Sequence, residues 1–376
     1  MAVPGELALG FRRSRTPALG GLAAERGFHI ASLDGIRAIA ALIVFAAHAG
    51  LDELVPGGFG VTVFFFLSGY LITTLLRREY EETGGISLRH FYLRRIYRIF
   101  PPLYLVLAIL ILLGLTGVVH NDMDALGIAA QLAHLTNYYV ASFPNASDPM
   151  VAPFTVPFWS LAVEEHFYLL FPLALLLLLG RNPLPRAAQL LFLVCCAVLL
   201  WRCFLVLIVN AGSHYIYHAT DTRVDSLLFG CVMGLWLNPA LDPAPAKVPP
   251  RTWVLLCGLG VALLLLSFLN RSEGFRDTFR YSLQGLGLFP LFYCAVRFHR
   301  WPVFAWLGIW PMRMLGLISY TFYLSHEACI ELARKLLGGD GILRALAGFA
   351  MAVAFSAACY VLVERRFARL RRKLHG

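Results

Sequence analysis

Charged side chains are scarce in this chain of 376 residues. Only 14% of its residues are Asp, Glu, Lys or Arg and 59% are apolar, whereas roughly 25% charged residues are usual in soluble proteins. So few charges cannot cover the surface of a 41.8 kDa soluble fold, which excludes soluble enzymes and disordered chains. Apolar runs recur along the chain, each close in length to the ~20 residues that a helix needs to cross a bilayer, and they predict a polytopic membrane protein.

CxxC spacing is absent, although the chain has eight cysteines. All eight fall in apolar runs, where cysteine commonly serves as a small buried hydrophobe. We therefore expect neither a disulfide framework nor a bound metal ion. The net charge of +10 is explained by basic residues at the cytoplasmic ends of membrane helices, and we expect no nucleic-acid partner.

The apolar runs predict an all-α, polytopic integral membrane bundle of about ten helices. The predicted spans are 35–52, 58–77, 99–119, 158–180, 187–209, 223–238, 251–270, 278–297, 312–335 and 341–364. Strands of a membrane barrel would be shorter and would alternate between polar and apolar residues, which these runs do not.

The distribution of basic residues predicts that both termini are cytoplasmic. Six Lys or Arg lie in 77–98 and six follow Glu364, whereas the loop 120–157 has none and carries three aspartates. Basic residues are enriched in cytoplasmic loops, so this loop is predicted to be external. The domain prediction is a cytoplasmic tail at 1–29, a membrane domain at 30–367 and a basic cytoplasmic tail at 368–376.

Two ionisable residues lie in the first predicted span, where each is costly. Arg37 and His48 are separated by three helical turns, so they share one face about 16 Å apart. In one interpretation Arg37 reaches the lipid headgroups and His48 hydrogen-bonds a neighbouring helix. In the other they line a polar cavity, and His48 accepts a proton near neutral pH.

The second span has small and hydroxyl side chains near its middle. Ser68 and Gly69 lie there and Tyr70 follows them. Small residues let a helix or a ligand approach closely, and packing alone is the simpler explanation. No GxSxG motif surrounds Ser68, so we do not expect it to be a nucleophile.

Arginines cluster at the cytoplasmic end of the third span. They are Arg94, Arg95 and Arg98, and the first and last share a face at i,i+4 spacing. Positive-inside anchoring explains such a cluster. Guanidinium groups also suit the phosphate oxygens of a polyanionic ligand, so both interpretations remain open at this point.

Carboxylates and a histidine open the fourth span. Glu164 shares a face with Ser160, and Glu165 shares another with Tyr168. The predicted topology places them in the outer half of the membrane, at a depth similar to that of His48. Further polar residues in later spans are Asp225, Tyr323 and His326. Together these residues predict a polar cavity inside the bundle.

Four of these segments resemble motifs of the acyltransferase 3 family, multi-pass enzymes that O-acylate carbohydrates and other hydroxyl acceptors. They are Leu33-Asp34-Gly35-Ile36-Arg37 with His48, Phe66-Leu67-Ser68-Gly69-Tyr70-Leu71-Ile72, Arg94-Arg95-x-x-Arg98, and Trp159-Ser160-Leu161-x-Val163-Glu164-Glu165-x-Phe167-Tyr168. Weaker matches are Asp225, Tyr320, Tyr323-Leu324-x-His326 and Glu364-Arg365-x-Phe367. The resemblance covers roughly residues 30–370, and four motifs in the family's order argue against coincidence.

The resemblance implies a cytoplasmic acyl-CoA donor, usually acetyl-CoA, with no bound cofactor. The arginine cluster would hold the CoA phosphates, and the pantetheine arm would pass Arg37 toward His48. His48 would act as general base or carry the acyl group, and Glu164 or Glu165 would orient its imidazole. The remaining motif residues would line the substrate site: Ser68, Tyr70, Trp159, Ser160, Tyr168, Asp225, Tyr323 and His326.

The resulting expectation is an O-acetyltransferase embedded in the lipid bilayer of the bacterial cytoplasmic membrane, acting on a surface polysaccharide or glycoconjugate. A proton-coupled secondary transporter is the competing class, because buried His, Glu and Arg would suit it as well. Such carriers often have two related halves with interrupted helices, which this sequence does not display. A third alternative is a translocator that delivers acyl groups to a separate transferase.

Overall fold

The computed structural model describes residues 30–119, 122–142, 150–245, 248–338 and 341–372. The predicted tail at 1–29 and the last four residues of the predicted C-terminal tail lie outside these ranges. Within the described ranges every regular element is helical, which confirms the all-α class.

Sixteen α-helices follow one another in the described ranges. The first eight are α1 Ala31–Ala46, α2 Gly57–Thr83, α3 Leu88–Leu115, α4 Ala125–Leu132, α5 Thr136–Ala141, α6 Trp159–Leu179, α7 Leu184–Phe204 and α8 Ser213–His218. The others are α9 Thr220–Leu235, α10 Pro250–Leu269, α11 Glu273–Asp277, α12 Arg280–Arg297, α13 Pro302–Ala305, α14 Trp310–Leu337, α15 Ile342–Cys359 and α16 Arg365–Arg372.

Seven helical segments of the described chain are long and apolar enough to cross a membrane, and α14 with the bent helix before it makes an eighth. This confirms a polytopic helical membrane protein. Helices α9 and α12 occupy the predicted sixth and eighth spans but are not among the helices that are long and apolar enough to cross a membrane. The 16 residues of α9 rise only about 24 Å, less than the ~30 Å hydrocarbon core. The count of ten and the cytoplasmic termini stay predictions.

Close helix packing through glycine holds the centre of the bundle together. A Cβ at Gly69 of α2 would lie 1.9 Å from the carbonyl oxygen of Leu227 in α9. A Cβ at Gly316 of α14 would lie 2.0 Å from the carbonyl oxygen of Asp34 in α1. Only glycine permits such contacts, so α2 packs directly on α9 and α1 on α14. The packing interpretation of Gly69 is therefore confirmed.

Two residues of interest lie in π-helical turns that follow long helices. His48 lies in the turn Ala47–Leu51 after α1, and Glu364 lies in the turn Tyr360–Glu364 after α15. Gly50 ends the first of these turns in the left-handed region, with a φ of 100°. Such turns interrupt the regular helical register and occur frequently at functional sites.

Candidate functional site

A partly open cavity lies inside the bundle, among α1, α2, α3, α6 and α14. About 980 Å³ in and around it is not filled by protein atoms, a figure that includes space open to the surroundings. Its charged side chains are three arginines and three glutamates: Arg37, Arg95, Arg98, Glu164, Glu165 and Glu364. Its hydroxyl-bearing side chains are Ser68, Ser160, Tyr168, Ser319, Tyr320 and Tyr323.

Two of the three clustered arginines reach this cavity. Arg95 and Arg98 line it, and the Arg95 guanidinium lies 5.4 Å from the centre of the Tyr168 ring. Arg94 instead forms an ion pair with Glu79 at 3.1 Å and does not line the cavity. The structure thus places Arg95 and Arg98, but not Arg94, where a ligand in the cavity could reach them, and phosphate binding by the three arginines stays a prediction.

A chain of hydrogen bonds connects α2 and α6 at the cavity wall. The Tyr168 hydroxyl donates to Glu164 Oε2 at 3.1 Å and lies 2.5 Å from Ser68 Oγ. Tyr168 is four residues after Glu164, so both project from the same side of α6. Ser68, Glu164 and Tyr168 are thus brought together as the motifs implied, with Glu165 beside them on the cavity wall.

His48 belongs to a second polar cluster, which it forms with α14. Its Nδ1 lies 2.7 Å from His326 Nε2, and its Nε2 lies 3.3 Å from Glu327 Oε1. The contacts of the imidazole are thus with Glu327 and His326, whereas Glu164 contacts Tyr168, so the expectation that Glu164 or Glu165 orients His48 stays a prediction that no observed contact supports. Glu327 directly follows His326 in an apolar span, so the His–Glu pair is visible in the sequence, but Glu327 was not among the predicted site residues.

This second cluster also has the composition of a metal site. His48, His326 and Glu327 each offer a ligand atom, all within 4.8 Å of one another. However, two nitrogens bound to one tetrahedral Zn²⁺ at ~2.0–2.1 Å would lie about 3.3 Å apart. The 2.7 Å between the two imidazole nitrogens is a hydrogen-bond distance. We therefore interpret the cluster as hydrogen-bonded side chains, and the absence of a bound metal stays a prediction.

Tyr323 joins the cavity to the His48 cluster. Its side chain lines the cavity, where its hydroxyl lies 2.9 Å from the Pro157 carbonyl oxygen and 2.7 Å from Ser160 Oγ. Its own carbonyl oxygen accepts a hydrogen bond from His326 Nδ1 at 2.6 Å. His48 itself does not line the cavity, so Tyr323 lies between the cavity and the imidazole.

Tyr70 and Asp225, which the resemblance assigned to the substrate site, lie in the packing between helices. Tyr70 is fully buried and donates to Asn238 Oδ1 at 3.1 Å. Asp225 accepts from Arg202 at 2.7 Å, and neither side chain has exposed surface. A buried charge requires a partner of opposite sign, and this pair supplies it. Neither residue lines the cavity, and their observed contacts are structural, so their assignment to the substrate site stays a prediction.

Trp159 also lies outside the cavity. Its ring packs against Tyr217 and His218, with centroids 4.9 and 5.0 Å away, and under the Arg223 guanidinium at 5.4 Å. Burial lowers the pKa of His218 to about 3, so this neighbour is neutral at physiological pH. Trp159 thus packs among aromatic side chains at the start of α6, and its assignment to the substrate site stays a prediction.

The fold and the site define a polytopic helical membrane protein with a buried cavity rich in Arg, Glu and Tyr. The sequence profile of the acyltransferase 3 family, described as an acyltransferase domain, matches residues 30–361. The chain belongs to this family, which confirms the resemblance seen in its motifs.

The chain is similar to curated proteins named O-acetyltransferase OatA. Those from the Staphylococcus aureus strains NCTC 8325 / PS 47 and COL are each 29% identical to it over 309 residues, which cover 80% of this chain and 51% of the relative. The chain thus spans about half the length of the curated relatives it matches. No solved structure matches it significantly.

Proposed function

We propose that this protein is a membrane O-acetyltransferase that moves the acetyl group of acetyl-CoA to a hydroxyl of a carbohydrate-containing acceptor. The observation that carries the proposal is the cavity that extends from Arg95 and Arg98 to Tyr323, beyond which lie His326 and His48. The arginines that would bind phosphate thus line the cavity, and the basic imidazole lies beyond Tyr323, outside the lining.

The donor would occupy the cavity with its phosphates toward the arginines. Arg95 and Arg98 can form charge-assisted hydrogen bonds with phosphate oxygens. Arg37 lines the same cavity three helical turns before His48, so its cation would help to hold the donor rather than reach the thioester that His48 attacks. The apolar lining from Phe64 and Leu67 suits the uncharged pantetheine arm.

His48 would activate the acceptor. As general base, its imidazole removes the proton from the acceptor hydroxyl while that oxygen attacks the thioester carbon. As nucleophile, it would carry the acetyl group before the acceptor arrives. In both cases Glu327, 3.3 Å from His48 Nε2, would stabilise the positive charge on the ring. The acceptor would reach His48 from outside, since this side chain is 39% exposed.

The name of the relatives supports O-acetyl transfer as the reaction. A surface polysaccharide or glycoconjugate is the proposed acceptor class and the bacterial cytoplasmic membrane the proposed location. Acetyl-CoA is made in the cytoplasm, so a cavity that opens at the arginine end would admit it without its crossing the bilayer.

The test is transfer from radiolabelled acetyl-CoA by the purified protein in nanodiscs, with a panel of hydroxylated acceptors. Acceptor-dependent CoA release should fall ~10²–10⁴-fold in His48→Ala. A matched control is His90→Ala, because His90 is exposed and lies away from the cavity. CoA release without any acceptor requirement would favour the translocator alternative. Absence of both CoA binding and CoA release in folded protein would refute the proposal and favour a transporter.

A further inference from the structure

The protonation of His326 can be assigned from its partners. Its Nδ1 lies 2.6 Å from the carbonyl oxygen of Tyr323. A carbonyl oxygen can only accept a hydrogen bond, so Nδ1 carries the proton. Neutral His326 therefore has its lone pair on Nε2, the nitrogen that faces His48. With 1% of its surface exposed, His326 has no access to solvent that would change this arrangement.

The same reasoning then assigns His48. His326 Nε2 is an acceptor, and His48 Nδ1 lies 2.7 Å from it, so the proton between the two rings belongs to His48 Nδ1. A neutral imidazole carries only one N–H. His48 Nε2 is therefore unprotonated, and its lone pair is the only basic site that His48 can present.

Glu327 is the neighbour on the Nε2 side of the ring. It lies on α14, with Oε1 3.3 Å from His48 Nε2, whereas His326 contacts Nδ1. An ionised carboxylate can only accept a hydrogen bond and would favour a proton on Nε2, so the Nδ1–H form requires that Glu327 is protonated and donates to Nε2, or that the acceptor hydroxyl takes its place there. Asp52 follows His48 in the chain and acts on it electrostatically.

We propose that His326 is a positioning residue that holds His48 in the Nδ1–H tautomer and so presents Nε2 to the acceptor hydroxyl. This inference rests on the proposed role of His48 in acetyl transfer. It applies equally if His48 is a base or a nucleophile, because both roles require the same lone pair on Nε2.

In the base mechanism the acceptor proton moves to His48 Nε2 as the hydroxyl oxygen bonds to the acetyl carbon. The bond between that carbon and the CoA sulfur then breaks. The thiolate takes a proton from the imidazolium Nε2, which regenerates neutral His48 and yields the ester and CoA thiol. The proton on His48 Nδ1 stays in its bond to His326 throughout.

The first test compares two substitutions of similar size. In His326→Gln the side-chain oxygen can accept from His48 Nδ1 at the place of His326 Nε2, whereas in His326→Met no strong acceptor remains. We expect kcat to fall ~10²-fold or more in the methionine variant and to stay within about tenfold of wild type in the glutamine variant. The KM for acetyl-CoA should be unchanged in both. Equal loss of kcat in both variants would overturn the inference.

The second test needs no activity. Magic-angle-spinning ¹⁵N spectra of histidine-labelled protein in nanodiscs, with His48 identified by comparison with His48→Ala, report which ring nitrogen is protonated. We expect a protonated Nδ1 and an unprotonated Nε2 at pH 8.5, and a mixture of tautomers in His326→Met. An Nε2–H tautomer in the wild type would overturn the inference. If wild type has the expected tautomer but transfers no acetyl group, the proposed function fails while the assignment of His326 stands.

Discussion

The two neighbouring arginines Arg94 and Arg98 offer a sharp test of the donor site, because they differ in where their side chains go. Arg98 lines the cavity, whereas Arg94 is paired with Glu79 at 3.1 Å. If CoA phosphates bind in the cavity, Arg98→Ala removes a charge-assisted hydrogen bond of about 1.5–3 kcal/mol. At 1.36 kcal/mol per factor of ten, this corresponds to a KM for acetyl-CoA about 10- to 150-fold higher.

Arg94→Ala is the matched control and should leave the KM for acetyl-CoA nearly unchanged, because Arg94 is paired with Glu79 and does not line the cavity. Acetyl-pantetheine, which has no phosphate groups, separates a phosphate contact from a general disturbance of the site. Its KM should be the same with wild type and with Arg98→Ala. The reasoning is refuted if Arg98→Ala leaves the KM for acetyl-CoA unchanged, or if it raises both KM values equally.

Two further predictions concern stability. Asp225→Ala leaves the fully buried Arg202 without its counter-charge and should destabilise the protein by about 3–5 kcal/mol. Thermal unfolding in detergent should detect this loss. The protein that remains folded should keep the wild-type KM for acetyl-CoA. Burial lowers the pKa of His218 to about 3 in the folded protein, whereas its pKa in the unfolded chain is about 6.5. Below pH 6.5 the proton therefore binds only the unfolded chain, and the free energy of unfolding falls, by about 2 kcal/mol at pH 5. His218→Phe should therefore lose less stability between pH 7.5 and pH 5 than wild type, and an equal loss would contradict the assigned cause.

The all-α fold class and several of the charged residues that line the cavity could be predicted from the sequence, because both depend on local patterns. Apolar length defines the spans, and the cost of intramembrane charge singles out Arg37, Glu164 and Glu165. Helical spacing then places Tyr168 beside Glu164, as the structure has it. Such inferences use only residues within one helix, where the backbone geometry is known in advance.

The partner of His48 could not be predicted, because the contact joins α1 to α14 across 278 residues. No local rule fixes which faces of two distant helices meet. The same limit explains Arg94, which shares a helical face with Arg98 yet pairs with Glu79 on α2. It also explains Tyr70 and Asp225, whose polar groups serve helix packing, a role that sequence motifs do not distinguish from substrate binding.

The alignment of the donor cavity with the His48 cluster depends on a single pair of helices. On α14, Tyr320 and Tyr323 line the cavity and His326 lies one further turn along the same face. On α1, Arg37 lines the cavity and His48 lies three turns farther on. The two helices therefore run side by side from the donor end to the imidazole pair.

Their register is fixed where Gly316 of α14 meets the backbone of Asp34, a contact that a Cβ would block at 2.0 Å. A larger residue at Gly316 would force α1 and α14 apart near the ends at which both helices begin, and rigid helices would carry the displacement toward His48 and His326. A hydrogen bond between these rings tolerates only a few tenths of an ångström before it weakens. The tight glycine contact near the proposed donor site is therefore part of what positions the imidazole pair of His48 and His326.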